Sequence, residues 1–80
     1  MNSMGIEARV TRCFANVFPD LHASEIPGAT TDALEAWDSV AHITLLTAVS
    51  EEFGIDFEPE DYIDLISYSQ ILNAVKARQD

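Results

Sequence analysis

Three polar residues at a predicted helix start are the best candidates for chemistry in this sequence. Asp38, Ser39 and His42 lie where a long irregular segment gives way to a regular helical pattern. Asp38 is a favoured N-cap residue, because its carboxylate can accept free N–H groups of a first turn at the positive end of the helix dipole. Ser39 would then lie in the first turn with its hydroxyl exposed. That hydroxyl would lie beside free backbone N–H groups, which favour an anion.

A catalytic triad is the alternative interpretation of these residues, because serine and histidine at i and i+3 are neighbours on a helix. The sequence offers no nucleophile elbow and no evident oxyanion hole. His42 falls on the apolar side of the helix, so we expect it to be partly buried near the top of the core. A chain of eighty residues is also too short to form a core and enclose a deep active-site pocket as well. We therefore predict no catalytic residue and no enzyme.

The helix after Asp38 has a well-defined apolar stripe. No Gly or Pro occurs between Ser39 and Gly54, which leaves room for about four helical turns. The predicted stripe is His42, Leu45, Leu46, Val49 and Phe53. Val40 and Ile43 project to the other side, with polar residues. They are either a contact surface for a partner or a patch covered by the preceding loop, and the projection alone does not separate the two.

Asp38-Ser39-Val40 at the start of an amphipathic helix, in a short acidic chain, resembles the motif of the acyl carrier proteins. In that family an Asp-Ser-Leu/Val motif carries 4′-phosphopantetheine on the serine. The similarity covers most of the chain, including a first helix, a long loop, the Asp-Ser helix, then Phe53-Gly54-Ile55 and two further helices. The resemblance implies that Ser39 is the covalent attachment site.

The resemblance also implies partners and a role. A phosphopantetheinyl transferase would move the group from coenzyme A to Ser39, and its thiol would hold acyl intermediates as thioesters for loading and processing enzymes with basic docking surfaces. Asp38 would help to define the transferase site. Val40, Ile43 and Glu51 would face partner enzymes.

Departures from the fatty-acid carrier pattern favour a specialised lipid, polyketide or secondary-metabolite pathway. The helix has Thr44, Thr47 and Ser50 where such carriers have acids or a bulkier apolar residue. The Gly-Gly-Asp-Ser approach of peptidyl carriers is absent, although an aminoacyl or D-alanyl carrier with the same attachment chemistry stays an alternative. A further alternative is an unmodified acidic helical module that binds basic partners.

The net charge of −10 limits the choice of partner. No Lys or Arg lies between Cys13 and Val75, so a long acidic region disfavours nucleic acid and anionic membranes as partners. A single cysteine excludes an internal disulfide, and we expect Cys13 to be a small buried hydrophobe. The acidic run at residues 56–64 lacks the Gly and Glu of an EF-hand loop, so no metal is predicted. No apolar run suggests membrane insertion, and we expect a cytoplasmic monomer.

The remaining pattern predicts an all-α fold with one domain over residues 1–80. A first helix is expected at about residues 4–18, with Ser3 as N-cap, followed by a loop at 19–37 that Leu21, Ile26, Leu34 and Trp37 anchor. A short turn of helix is possible at residues 31–36. Pro59 would begin a short helix with an inward face of Tyr62, Leu65 and Ile66, and Ser67 and Gln70 would form a capping box before the last helix. The sum is a small four-helix bundle, with three longer helices, one short helix and a long loop between the first and second.

Overall fold

The described part of the chain is helical. The computed structural model describes residues 5–79. Its α-helices are α1 (Ile6–Val17), α2 (Ser39–Phe53), α3 (Pro59–Asp64) and α4 (Tyr68–Arg78), and a 3-10 helix spans Ala23–Gly28. Within residues 5–79 there is no strand, and an isolated bridge joins Thr30 to Ser67. The all-α prediction is therefore confirmed.

The first helix is shorter than predicted. It begins at Ile6, with Gly5 at the N-cap, and Ser3 lies outside the described residues. Its end is close to the predicted one, because Phe18 donates its backbone N–H to the Phe14 carbonyl at 2.8 Å and Pro19 follows. Proline cannot continue the helical bonding pattern.

The long connection between α1 and α2 is more regular than predicted. Its 3-10 helix contains Pro27 and Gly28, which the sequence suggests as helix breakers, but a short 3-10 helix needs only a few i to i+3 bonds. The possible helix at residues 31–36 is a series of turns instead. Of the predicted anchors, Ile26 and Trp37 are buried, while Leu21 and Leu34 are half-buried against the core.

The connection is also bonded to the segment between α3 and α4. Thr31 donates its N–H to the Ile66 carbonyl, and Tyr68 donates its N–H to the Ala29 carbonyl, each at 3.0 Å. These bonds satisfy backbone groups that an irregular segment would otherwise leave without partners. The connection thereby fixes the approach of the chain to the start of α2.

The core lies between α1, α2, α4 and the 3-10 helix. Phe14 is at its centre, with ring centroids 5.4 Å from Trp37 and 5.2 Å from Tyr68 in edge-on arrangements. Four residues of the stripe predicted for α2 are buried and His42 is half-buried; the buried four are Leu45, Leu46, Val49 and Phe53. The buried residues of the other long helices are Val10, Cys13 and Phe14 in α1, and Tyr68, Ile71, Leu72 and Val75 in α4. Cys13 is buried as predicted, and burial raises the pKa of its thiol.

The short helix and its exit correct one prediction. Pro59 does begin α3, and Leu65 is buried, but Ile66 is 42% exposed and does not belong to the inward face. The predicted capping box of α4 forms only in part. Gln70 donates its N–H to Ser67 Oγ at 3.1 Å, but Gln70 Oε1 accepts from the Ile66 N–H and from the Ser67 hydroxyl, and not from the Ser67 backbone N–H that a capping box requires.

No helix among residues 5–79 has both the length and the hydropathy needed to cross a bilayer.

Candidate functional site

The start of α2 is fixed by Asp38. Its Oδ1 accepts the Ala41 N–H at 2.9 Å, and its backbone carbonyl accepts the His42 N–H at 2.8 Å. The predicted N-cap is confirmed. Ser39 is the first residue of the helix and is exposed, so the first turn holds its hydroxyl at the surface.

The backbone around Ser39 favours a negative charge. The first N–H groups of a helix have no intrahelical carbonyl to bond, and Asp38 accepts only that of Ala41. The N–H groups of Ser39 and Val40 therefore stay available beside the Ser39 hydroxyl. Together with the positive end of the helix dipole, they suit an anionic group attached there.

Trp37 fixes the direction from which the chain enters α2. Its side chain is 3% exposed and packs on Phe14 of α1 and on Phe18 at the C-terminal end of α1. The ring centroids of Trp37 and Phe18 are 5.9 Å apart. It also contacts His42, the fourth residue of the helix, with ring centroids 5.8 Å apart. This is the geometry of a hydrophobic staple, in which the residue before the N-cap packs on the first turn.

His42 makes two hydrogen bonds through its ring. Trp37 Nε1 donates to His42 Nδ1 at 2.9 Å, and His42 Nε2 lies 2.7 Å from the backbone carbonyl of Tyr62 in α3. The partly buried position is as predicted. Because both ring nitrogens already have partners, His42 has none left to accept the Ser39 proton, so the triad interpretation fails on geometry.

An open groove lies beside Ser39 between α2 and α3. It has a volume of about 620 Å³ and a mainly apolar wall formed by Ser39, His42, Ile43, Phe57, Pro59 and Tyr62. A smaller cleft of about 260 Å³ lies on the Asp38 side and shares Ser39, His42 and Tyr62. The groove was not predicted from the sequence, because its two walls belong to different helices. A flexible group attached to Ser39 could therefore lie in the groove or in the smaller cleft.

The apolar residues predicted at this surface are exposed. Val40 is 74% and Ile43 57% exposed, so the alternative that the preceding loop covers them is wrong. Ile63 of α3, at 76%, and Ile66 are also exposed, and sequence analysis missed both because α3 is too short to show a clear period. Asp38, Ser39, Val40 and Ile43 come together at one end of α2. Glu51 lies about 18 Å from Ser39 along the helix axis.

The three arginine side chains of the described residues pair with acids in other elements. Arg9 Nε lies 2.8 Å and Arg12 Nη2 3.5 Å from Glu52 Oε2, on the far part of α2, and Arg78 Nη2 lies 3.2 Å from Asp61 Oδ2. The hydrogen bond from Arg9 lowers the pKa of Glu52. Glu51, the residue before Glu52, is exposed. Among residues 5–79, no three His, Cys, Asp or Glu side chains are grouped so that they could hold a metal ion.

Comparison of the chain with protein-family models, with curated proteins and with solved structures gives no match.

Proposed function

We propose that the chain is an acyl carrier that is modified by phosphopantetheine on Ser39. The observation that carries this proposal is the exposed Ser39 hydroxyl at the first position of α2, with available backbone N–H groups on one side and an apolar groove on the other. We also propose that the four α-helices form the four-helix bundle of such a carrier. The 3-10 helix would be part of its long first connection.

The residues around Ser39 fit the group. A phosphodiester needs anion-stabilising donors, which the first turn of α2 supplies, and the arm beyond it needs open space, which the groove supplies. Ile43, Phe57 and Tyr62 would hold an apolar part of the arm or its cargo against the groove wall. When bound, the group supplies a terminal thiol that carries an acyl chain as a thioester.

The chain itself would act as a substrate in the attachment reaction. Ser39 Oγ would form a bond to the phosphorus of coenzyme A that bears the pantetheine arm, with adenosine 3′,5′-bisphosphate as the leaving group. A transferase would take the hydroxyl proton, because His42 is already occupied on both ring nitrogens. Asp38 keeps the first turn in place for this enzyme.

Partner enzymes would bind the surface around Ser39. Val40 and Ile43 offer exposed apolar contacts, and Ile63 of α3 extends the same kind of surface. Asp38 and Glu51 would contact basic side chains. The net charge of −10 favours encounter with basic docking surfaces, since opposite charges raise association rates without requiring tight binding.

The test is the intact mass of the protein after incubation with coenzyme A and a broad-specificity phosphopantetheinyl transferase. We expect wild type to gain the mass of one phosphopantetheine group and Ser39→Ala to gain nothing. Ser69→Ala is the matched control, because Ser69 is also an exposed serine in the first turn of a helix, α4. It should be modified as wild type is.

The outcomes separate the candidate functions. No mass gain in folded wild type, with a transferase that modifies a known carrier in the same tube, would contradict the proposal and favour an unmodified interaction module. A mass gain that survives Ser39→Ala would move the site elsewhere. The mass gain alone would not distinguish an acyl from an aminoacyl or D-alanyl cargo, because the loading enzyme selects the cargo.

A further inference from the structure

A hydrogen-bonded chain connects the core to α3 through His42. It runs from the Trp37 indole N–H to His42 Nδ1, at 2.9 Å, and from His42 Nε2 to the Tyr62 carbonyl, at 2.7 Å. Tyr62 lies in the last turn of α3, where carbonyls have no intrahelical donor. The imidazole therefore acts as a cap on the C-terminal end of α3.

The two partners fix which ring nitrogen carries the proton. An indole nitrogen can only donate, so His42 Nδ1 must be the acceptor and carry no hydrogen. A carbonyl oxygen can only accept, so Nε2 must carry the hydrogen. Both hydrogen bonds are therefore made by the neutral imidazole tautomer that carries its hydrogen on Nε2.

Adding a proton to His42 would put two donors face to face. Protonated Nδ1 would point its hydrogen at the Trp37 N–H from 2.9 Å. The Trp37 ring is 3% exposed and packs against both Phe14 and Phe18, so the imidazole moves more readily than the indole does. Its Nε2 then leaves the Tyr62 carbonyl, even though the added charge by itself would strengthen that bond.

The short helix depends on such contacts. None of the six residues of α3 is buried, and helices of this length are not stable by themselves. Besides His42, its polar attachment is the Arg78–Asp61 ion pair at 3.2 Å. Loss of one of these few contacts should loosen α3 more than it would loosen the buried helices α1, α2 and α4.

We propose that neutral His42 is the positioning residue that holds α3 against the Ser39 end of α2, and that protonation of His42 releases α3. This role of His42 does not require Ser39 to be modified, because neither hydrogen bond of the imidazole involves Ser39. It implies that the groove beside Ser39 changes shape with pH, since α2 and α3 form its two walls. Histidine is the side chain that ordinarily changes charge between about pH 5 and 8.

The surroundings of His42 contain few other groups that titrate. Those that line the same groove and cleft are Asp38 at the N-cap of α2 and Tyr62 of α3. The Asp38 carboxylate is engaged by the Ala41 N–H. The other lining residues carry no titratable group, and they are Thr31, Trp37, Ser39, Ile43, Phe57, Pro59 and Ile66.

The experiment is amide hydrogen exchange of the full chain by NMR at about pH 7.5 and about pH 5.5, on either side of histidine titration. The Leu65 N–H, bonded to Asp61 at the end of α3, is compared with the Ile71 N–H, bonded to Ser67 in α4. We expect protection of Leu65 relative to Ile71 to fall about tenfold at the lower pH, as loss of one hydrogen bond would produce. His42→Gln keeps one hydrogen-bond acceptor and one donor group and does not titrate, so its ratio should not change with pH. His22→Gln removes the other, exposed histidine and should behave as wild type does.

An unchanged ratio in wild type, or an equal fall in His42→Gln, would overturn the proposal. If His42→Gln does not fold, the wild-type histidine ¹⁵N signals decide. The loss of Leu65 protection must then follow the titration of His42, with Nε2 protonated and Nδ1 bare at the higher pH. A loss that follows His22, or a tautomer with the proton on Nδ1, would overturn the proposal as well.

Discussion

Glu52 binds both basic residues of α1, although neither is near it in the sequence. Arg9 donates to its carboxylate at 2.8 Å and to its backbone carbonyl at 2.9 Å, and Arg12 lies at 3.5 Å. The Arg9 guanidinium also lies over the Phe53 ring, 4.4 Å from its centroid. At the residue scale, the positive charge of α1 is thus directed to one acid of α2 and away from the Ser39 end.

Glu52 should make stability depend on pH in the acidic range. The hydrogen bond from Arg9 lowers its pKa in the folded protein below the ordinary 4.5, so the carboxylate form is favoured by folding. The stabilisation is present above about 4.5 and is lost as pH falls through the lowered value. We expect Glu52→Gln to be less stable than wild type in urea denaturation at pH 7, and the difference to shrink as pH falls below about 4.5.

Glu51→Gln is the matched control for this measurement, because it removes the same charge from an exposed neighbour on α2. At pH 7, Glu51→Gln should lose less stability relative to wild type than Glu52→Gln does. Equal effects of the two substitutions at pH 7 would mean that the Arg9–Glu52 contact contributes no more than the net charge does. Such a result is common for ion pairs near the surface of a protein, because water and salt screen them.

At the scale of the elements, α2 ends where its sequence dictates. Gly54 has a φ of 65°, in the left-handed region, and donates its N–H to the Ser50 carbonyl. Side chains with a Cβ are strained in this region, by about 1–2 kcal/mol. We expect Gly54→Ala to lower the free energy of unfolding by about that amount in chemical denaturation, although nothing lies within 4 Å of the added methyl group.

Gly28→Ala provides the contrast, because its added Cβ also meets open space but its φ is not positive. We expect no loss of stability there, or a gain of about 0.4–1 kcal/mol from a less flexible unfolded chain. Equal losses at the two glycines would show that the backbone angle of Gly54 is not the cause.

The elements also show where sequence analysis failed. The 3-10 helix was missed because Pro27 and Gly28 suggest a break, and the exposure of Ile66 was missed because α3 is too short to define a face. Long helices with several turns were predicted well. Their stripes repeat often enough for the period to be counted.

For the whole molecule, the large negative charge should oppose folding. The net charge of −10 is held within a radius of gyration of 11.8 Å, so many acids lie within the screening distance of about 10 Å at 0.1 M salt. We expect the melting temperature to rise with sodium chloride, because screening reduces the repulsion by more than it weakens the ion pairs of Glu52 and Asp61 with arginines.

Glu35→Lys tests the cause, because Glu35 is an exposed acid in the connection before α2. It reduces the net negative charge by two, so it should raise the melting temperature at low salt and reduce the response to added salt. A melting temperature that does not change with salt in either protein would contradict this account of repulsion.

The sequence by itself determined the features that depend on neighbours within about one helical turn. Examples are the Asp38 cap on Ala41, the Gly54 end of α2 and the place of Ser39 in a first turn. Only the tertiary structure decided the groove, the pairing of Arg9 with Glu52, and the bond from His42 to α3. These contacts join residues 43 and 20 positions apart, and the packing of the helices selects such partners where the local pattern of side chains cannot.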